Sequence, residues 1–241
     1  SGKLSFYDGY ETVKPLSPVV FEDDFTGYKL NKYIANENTT APWGTVETAA
    51  TVVVVAATVN GVVQLAITNA DSTQIACLHW GDQLSLSLLQ GLIFETRLTF
   101  SILPASGTGP SIATWGLASA HNATIDNVAT NAWFRVASAA PTALLWETDI
   151  PGGTDDDANA IALPALVAAT YHIYRIDCRD GLTAKFYVDN ALVGSGDIAT
   201  GMGATEDLVQ PYFNMQKVKG AGNTAIGTMD IDYVKVWQNR S

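Results

Sequence analysis

Apolar residues recur with a period of two along most of this chain, and helical periodicity is nearly absent. In Leu92-Ile93-Phe94-Glu95-Thr96-Arg97-Leu98-Thr99-Phe100 the even positions are mostly apolar, and Glu95 and Arg97 fall on the other side. That is the signature of a half-buried strand with a charged outer face. After Gly61, Val63, Leu65 and Ile67 alternate with Val62, Gln64 and Ala66. In Tyr171–Cys178, Tyr174, Ile176 and Cys178 share one face and Arg175 and Asp177 the other. Ala184–Gly194 reads as a hairpin, because Asp189-Asn190 tolerates the left-handed conformation of a tight turn. The alternation of Met229–Trp237 changes phase between Tyr233 and Val234, which predicts a β-bulge there. Further strands are expected at Phe21–Phe25, Thr51–Thr58, Gln74–His79, Gln83–Ser87, Ile112–Ala118, Ala132–Val136, Ala143–Glu147 and Val209–Val218. Ile161–Ala169 stays open between a helical turn and a strand. About a dozen short strands with no room for helical crossovers read as an all-β, two-sheet antiparallel sandwich of jelly-roll type.

A chain of 241 residues is long enough to bury roughly three quarters of its unfolded surface, so it needs no covalent staples. Its two cysteines, Cys77 and Cys178, lie in apolar runs and read as buried thiols, although sequence alone leaves a disulfide open. The net charge of −11, with no Lys/Arg cluster, argues against nucleic acid and anionic membranes as partners. No apolar run reaches the roughly 18 residues needed to span a bilayer. The first residues carry no secretory pattern. Asn38-Thr39-Thr40 and Asn122-Ala123-Thr124 match the glycosylation sequon but carry no weight without one. Residues 1–20 lack alternation and hold Phe6, Tyr7 and Tyr10 among glycines and prolines. They are expected to form an extended N-terminal arm, with those three aromatics as partner-binding groups and residues 21–241 as one domain.

The ends of the chain carry a resemblance. Phe21-Glu22-Asp23-Asp24-Phe25-Thr26-Gly27, Leu30 and Trp43 are similar to the opening of concanavalin A-like lectin/glucanase (LamG-like) domains. Phe94-Glu95-Thr96-Arg97, Phe186–Asn190 and Met229–Trp237 are similar to their middle and closing strands. The resemblance covers residues 21–238 and implies two large curved antiparallel sheets. Within that superfamily, several segments resemble virion-associated proteins of tailed bacteriophages: Asp126–Ala129, Ala132–Val136, Leu144–Asp149, Gly153–Asp157, Tyr171–Asp177 and Gln210–Phe213. This second resemblance implies a structural protein of the capsid exterior, of decoration or cement type. Its partners would be the major capsid protein, other virion subunits or further copies of itself.

Enzymatic activity is not expected from the motifs. Glycoside hydrolysis needs two carboxylates roughly 5–10 Å apart. The retaining glucanases of the resembled fold supply them from one Glu-x-Asp-x-x-Glu strand. Here Glu147-Thr148-Asp149 continues into Ile150-Pro151-Gly152, which lacks the second glutamate, so Glu147 and Asp149 read as a strand end facing solvent. The Arg, Gln, His and Tyr set of alginate-lyase-like members has no matching motif, and His79, His121 and His172 stand alone. Asp155-Asp156-Asp157 reads as a solvated acidic loop, with Asp155 and Asp157 as weak candidates for Ca²⁺. Otherwise no cofactor is expected. Trp115 and Trp133 are candidates for stacking on sugars from the concave sheet, and Trp43 and Trp237 read as core. The leading expectation is therefore a non-enzymatic virion protein. A carbohydrate-binding module or adhesin, located outside the cell, is the alternative. A polysaccharide hydrolase or lyase with an atypical site comes third.

Overall fold

The computed structural model describes residues 18–26, 31–32, 42–55, 58, 60–106, 108–137, 140, 142–151, 155–161, 165–203, 207–220 and 222–239. Among them the chain runs β1 (Val19–Asp23), β2 (Asn31–Lys32), β3 (Gly44–Thr48), β4 (Thr51–Val54), β5 (Val63–Ile67), β6 (Gln74–His79), β7 (Leu86–Ser87), β8 (Leu92–Ser106) and β9 (Ser111–Ala118). A single 3₁₀ turn, Ile125–Asn127, precedes β10 (Asn131–Ala137). Then follow β11 (Leu145–Asp149), β12 (Asp155–Ala160), β13 (His172–Cys178), β14 (Thr183–Val188), β15 (Ala191–Asp197), β16 (Leu208–Lys217) and β17 (Ile226–Gln238).

These strands form two sheets. One has eight strands in the order β15-β14-β13-β8-β17-β5-β4, with β1 also paired to β17. The other has nine, in the order β12-β11-β10-β9-β16-β6-β3-β2, with β7 paired to β16. Pairing is antiparallel throughout except between β2 and β3. The expected jelly-roll sandwich is thus the observed fold.

Alternation sets which side of each strand enters the core. On β17, Met229 and Ile231 are buried, and then the parity flips so that Val234 and Val236 are buried. The flip is a register shift against β8 between Ile231 and Tyr233, one residue before the expected bulge. It leaves Tyr233, Lys235 and Trp237 partly exposed on the outer face, so Trp237 is not the core residue expected from sequence. Trp43, by contrast, is core, and its indole donates to the Asp23 carboxylate at 2.7 Å.

Between the sheets runs a column of rings. Trp146 stacks on Phe186, which meets Phe134 edge-on, and Trp115 packs on Phe134, Tyr174 and Phe100 at centroid distances of 5.0 to 5.9 Å. Burying each such ring contributes on the order of 1.5–3 kcal/mol, plus up to about 1 kcal/mol for the ring–ring geometry. The edge strands close around this column because β15 carries glycine where the indole must fit. A Cβ on Gly194 would lie 2.1 Å from Trp146 Nε1.

Cys77 and Cys178 are both buried free thiols. Lys217 points inward from β16, and its ammonium is held by the carbonyls of Thr68 (2.5 Å), Ala225 (2.9 Å) and Asn223 (3.3 Å). Two sequence readings are corrected here. The acidic run Asp155-Asp156-Asp157 is not a loop but the start of edge strand β12. Val19 and Val20, assigned to the arm, already belong to β1, where they pair with Gln238 and Trp237.

Candidate functional site

The nine-stranded sheet has a second face, turned away from the core. Its residues follow from strand register. Glu147 of β11, Trp133 of β10, Gly116 of β9, Tyr212 of β16 and His79 of β6 form one row across the sheet. Asp149, Asn131, Ala118 and Gln210 form the row on one side of it. Arg135, Thr114, Asn214 and Cys77 form the row on the other. Neighbouring strands lie about 4.8 Å apart, so the row from Glu147 to His79 spans on the order of 20 Å.

At one end sits a network around Asp82. The turn after β6 places Asp82 with a positive φ of 57°. Its Oδ1 accepts from the His121 amide at 2.8 Å and from Gln210 Nε2 at 2.8 Å, and lies 3.4 Å from His79 Nδ1. Gln210 Oε1 in turn accepts from the Asp82 amide at 3.1 Å. Burial would raise the Asp82 carboxyl, but the bonds from His79, the His121 amide and Gln210 outweigh it and hold it below the usual carboxylate range.

His121 stacks on His79 at 5.6 Å, and its Nδ1 lies 2.8 Å from the Tyr212 hydroxyl. Burial, and then the neighbouring His79, lower the His121 imidazole to about 4, so at neutral pH it is uncharged. Tyr212 is pushed well above the ordinary phenol range by burial and by Cys77 beside it, and stays protonated. When the phenol donates to Nδ1, the neutral imidazole carries its own proton on Nε2.

At the other end, Arg135 reaches Glu147 Oε2 at 2.8 Å and Asp126 Oδ1 at 2.9 Å. Burial opposes the guanidinium charge, but Glu147 and Asp126 more than offset it, and its pKa is raised. The Asn131 amide donates to Glu147 Oε1 at 3.4 Å and to Asp149 Oδ2. Between the two ends, the segment joining β9 to β10 folds over the sheet. Its Ile125 and Val128 pack on Trp133, Tyr212 and Cys77. Thr114 Oγ1, Asn214 Oδ1 and Trp133 Nε1 are buried on this face with no partner among the described residues. Atoms so placed take water or a ligand hydroxyl.

An open pocket of about 520 Å³ adjoins the Asp82 network. Its wall includes Leu84, Ser119, His121, Asn122, Asn127 and Thr130. A second groove lies on the outer face of the eight-stranded sheet, along Val20, Ile93, Glu95, Lys235 and Trp237. It has no comparable convergence of polar groups.

Several sequence-derived site residues land elsewhere. Trp115 has no accessible surface and faces the core, so it has no ring face to offer a sugar. Trp133 does lie on the outer face, but Ile125 and Val128 cover it completely. Glu147 is not a solvent-facing strand end, being fully buried and ion-paired. His79 and His121 do not stand alone. The side chains of Asp155 and Asp157, and the arm residues Phe6, Tyr7 and Tyr10, lie outside the described residues. The capsid-partner reading therefore rests on sequence alone. Among the described residues, no three metal-ligating side chains converge.

No protein-family model and no curated protein sequence matches the chain. Solved structures do match. An endo-acting O-glycanase of the human gut microbiota, associated with mucin breakdown, aligns over 90% of this chain and 97% of its own, with TM-score 0.61 and 13% identity. The carbohydrate recognition domain of Emp47p aligns over 88% and 95%, with TM-score 0.52 and 10% identity. Alginate lyase A1-II′, of polysaccharide lyase family 7, aligns over 76% and 82%, with TM-score 0.52 and 13% identity.

The exclusion of enzymatic activity drawn from sequence does not stand. Glycan-cleaving enzymes share this fold, and the exclusion had misplaced Glu147 and overlooked the His121–Tyr212 contact. These neighbours are a carbohydrate recognition domain and glycan-acting enzymes. What the chain shares with these structures is the concanavalin A-like jelly-roll fold.

Proposed function

We propose that the protein binds a glycan on the outer face of its nine-stranded sheet, with His121 at the centre of the contact. The observation that carries this reading is the pocket at His121, backed by the Asp82–Gln210–His79–Tyr212 network. A neutral imidazole and the Asn122 and Asn127 amides offer the mixed donor and acceptor edges that hydroxyl-rich ligands need, beside the small apolar patch of Leu84. The shared fold with carbohydrate recognition domains and glycan-acting enzymes supports the same reading.

A second reading, that the bound glycan is also cleaved, is favoured by one contact. An uncharged imidazole lining the pocket, its ring oriented by the buried Tyr212 hydroxyl 2.8 Å from Nδ1, is a group able to exchange a proton at a glycosidic oxygen.

The test is a glycan array followed by calorimetric titration of the hits. His121→Ala should weaken binding about tenfold or more, the loss of roughly one well-placed hydrogen bond. Trp237→Ala, on the opposite sheet, should leave affinity unchanged. An array without hits, or hits that depend on Trp237 and not His121, would overturn the proposal. Release of reducing or unsaturated ends from the hits decides between binding and cleavage.

A further inference from the structure

The charge on this face restricts which glycan it can take. Among the described residues, the two networks contain four carboxylates, Asp82, Asp126, Glu147 and Asp149, against one guanidinium, Arg135. Counting charges gives +1 − 4 = −3. Asp149 is paired in register with Asp155 of β12, so the sheet edge beyond adds no cation. Arg135 is not available to an anion, since one of its terminal nitrogens lies on Glu147 and the other on Asp126. Lys217 of β16 points into the core, with its ammonium on three carbonyls. The chain as a whole carries −11.

A polyuronate or sulfated chain places a negative charge on each or every other sugar. Recognition of such charges needs guanidinium or ammonium groups aimed at the ligand, and long-range attraction to bring it in. Among the described residues this face offers neither. What it turns toward the pocket is uncharged: the His121 ring, the Asn122 and Asn127 amides, and the Ser119 and Thr130 side chains.

We infer that the ligand of this face is an uncharged polysaccharide, read through amide, hydroxyl and imidazole groups, and that polyuronates and sulfated glycans are refused. The inference rests on the glycan-binding reading above. It separates this chain from any relative whose sheet grips carboxylated sugars.

The test uses the whole chain on an array holding matched uncharged, carboxylated and sulfated glycans, with affinities of the hits measured in low salt and in about 0.5 M salt. The expected result is that every hit is uncharged and that its affinity changes less than twofold with salt, because no ion pair forms. In a companion variant, Asn127→Lys places a cation on the pocket wall. It is expected to gain at least fivefold for a carboxylated glycan in low salt, and to lose that gain in high salt. A carboxylated or sulfated hit for the unaltered protein, weakened tenfold by salt, would overturn the inference while leaving glycan binding intact. The absence of any hit would overturn the glycan-binding reading itself, and this inference with it.

Discussion

Removing Arg135 while leaving Glu147 in place should unfold this protein far more readily than any loss of surface charge. Glu147 has no accessible surface, and among the described residues its charge is balanced by Arg135 at 2.8 Å, with a longer 3.4 Å bond from Asn131. In Arg135→Met the stem is replaced by one of similar length, so packing is largely kept and the charge alone is lost. An uncompensated buried carboxylate costs about 3–5 kcal/mol. For a domain of this size each kcal/mol lowers Tm by roughly 2–4 °C, so Tm should fall by on the order of 6–20 °C. Adding Glu147→Gln to Arg135→Met should recover more than half of the loss, because the double variant buries no ion. Asp126→Ala removes the other partner, which is 57% exposed, and should cost less than about 1 kcal/mol. Urea denaturation followed by tryptophan fluorescence measures all three against the unaltered protein, with equal slopes as the check that the same transition is being compared. If Arg135→Met lies within 1 kcal/mol of the unaltered protein, or the double variant is no better than the single, then the ion pair does not hold this face together and the reasoning fails.

Two further outcomes are expected from the packing at Gly194 and the burial of His121. Gly194→Ala should destabilise by several kcal/mol, since the new methyl would meet the Trp146 ring at 2.1 Å, and calorimetry of the variant checks it. His121 titrates near 4 in the folded protein and near 6.5 when unfolded, so between those values the unfolded chain holds more protons and stability falls as pH falls. The loss should reach roughly 2–3 kcal/mol by pH 4, seen as a lower urea midpoint that is largely absent in His121→Gln.

The sheets were legible in the sequence because alternation is a local property. Leu92–Phe100 and Met229–Trp237 declare their buried side from neighbours two residues away, and even the bulge was placed to within a residue. The candidate site was not legible for the same reason. His79, His121, Gln210 and Tyr212 are separated by up to 133 positions and meet only through strand order β9-β16-β6. Each on its own looks like an isolated polar residue. The two tryptophans show the limit most clearly. Trp115 pairs with Phe134 and Trp133 with Gly116 across the same two strands, yet they point to opposite faces. Composition could not separate them, because the assignment depends on register. The segment that covers Trp133 was equally hidden, being a short 3₁₀ turn held by Ile125, Val128 and one ion pair. Glu147 was misread because Pro151 and Gly152 do mark the end of a strand, but the carboxylate lies before that end and turns onto the sheet.

Lys217 gives the sandwich a property of a different kind. Three backbone carbonyls from two separate loops converge on its ammonium, an arrangement of oxygens that in other settings would be filled by a dissolved ion. Here the cation is tethered to the chain by its own side chain. It cannot be diluted away or extracted by a chelator, and it is delivered to its oxygens by the same step that forms β16. The junction between the loop after β5 and the loop before β17 is therefore locked whenever the protein is folded, whatever the ionic composition around it.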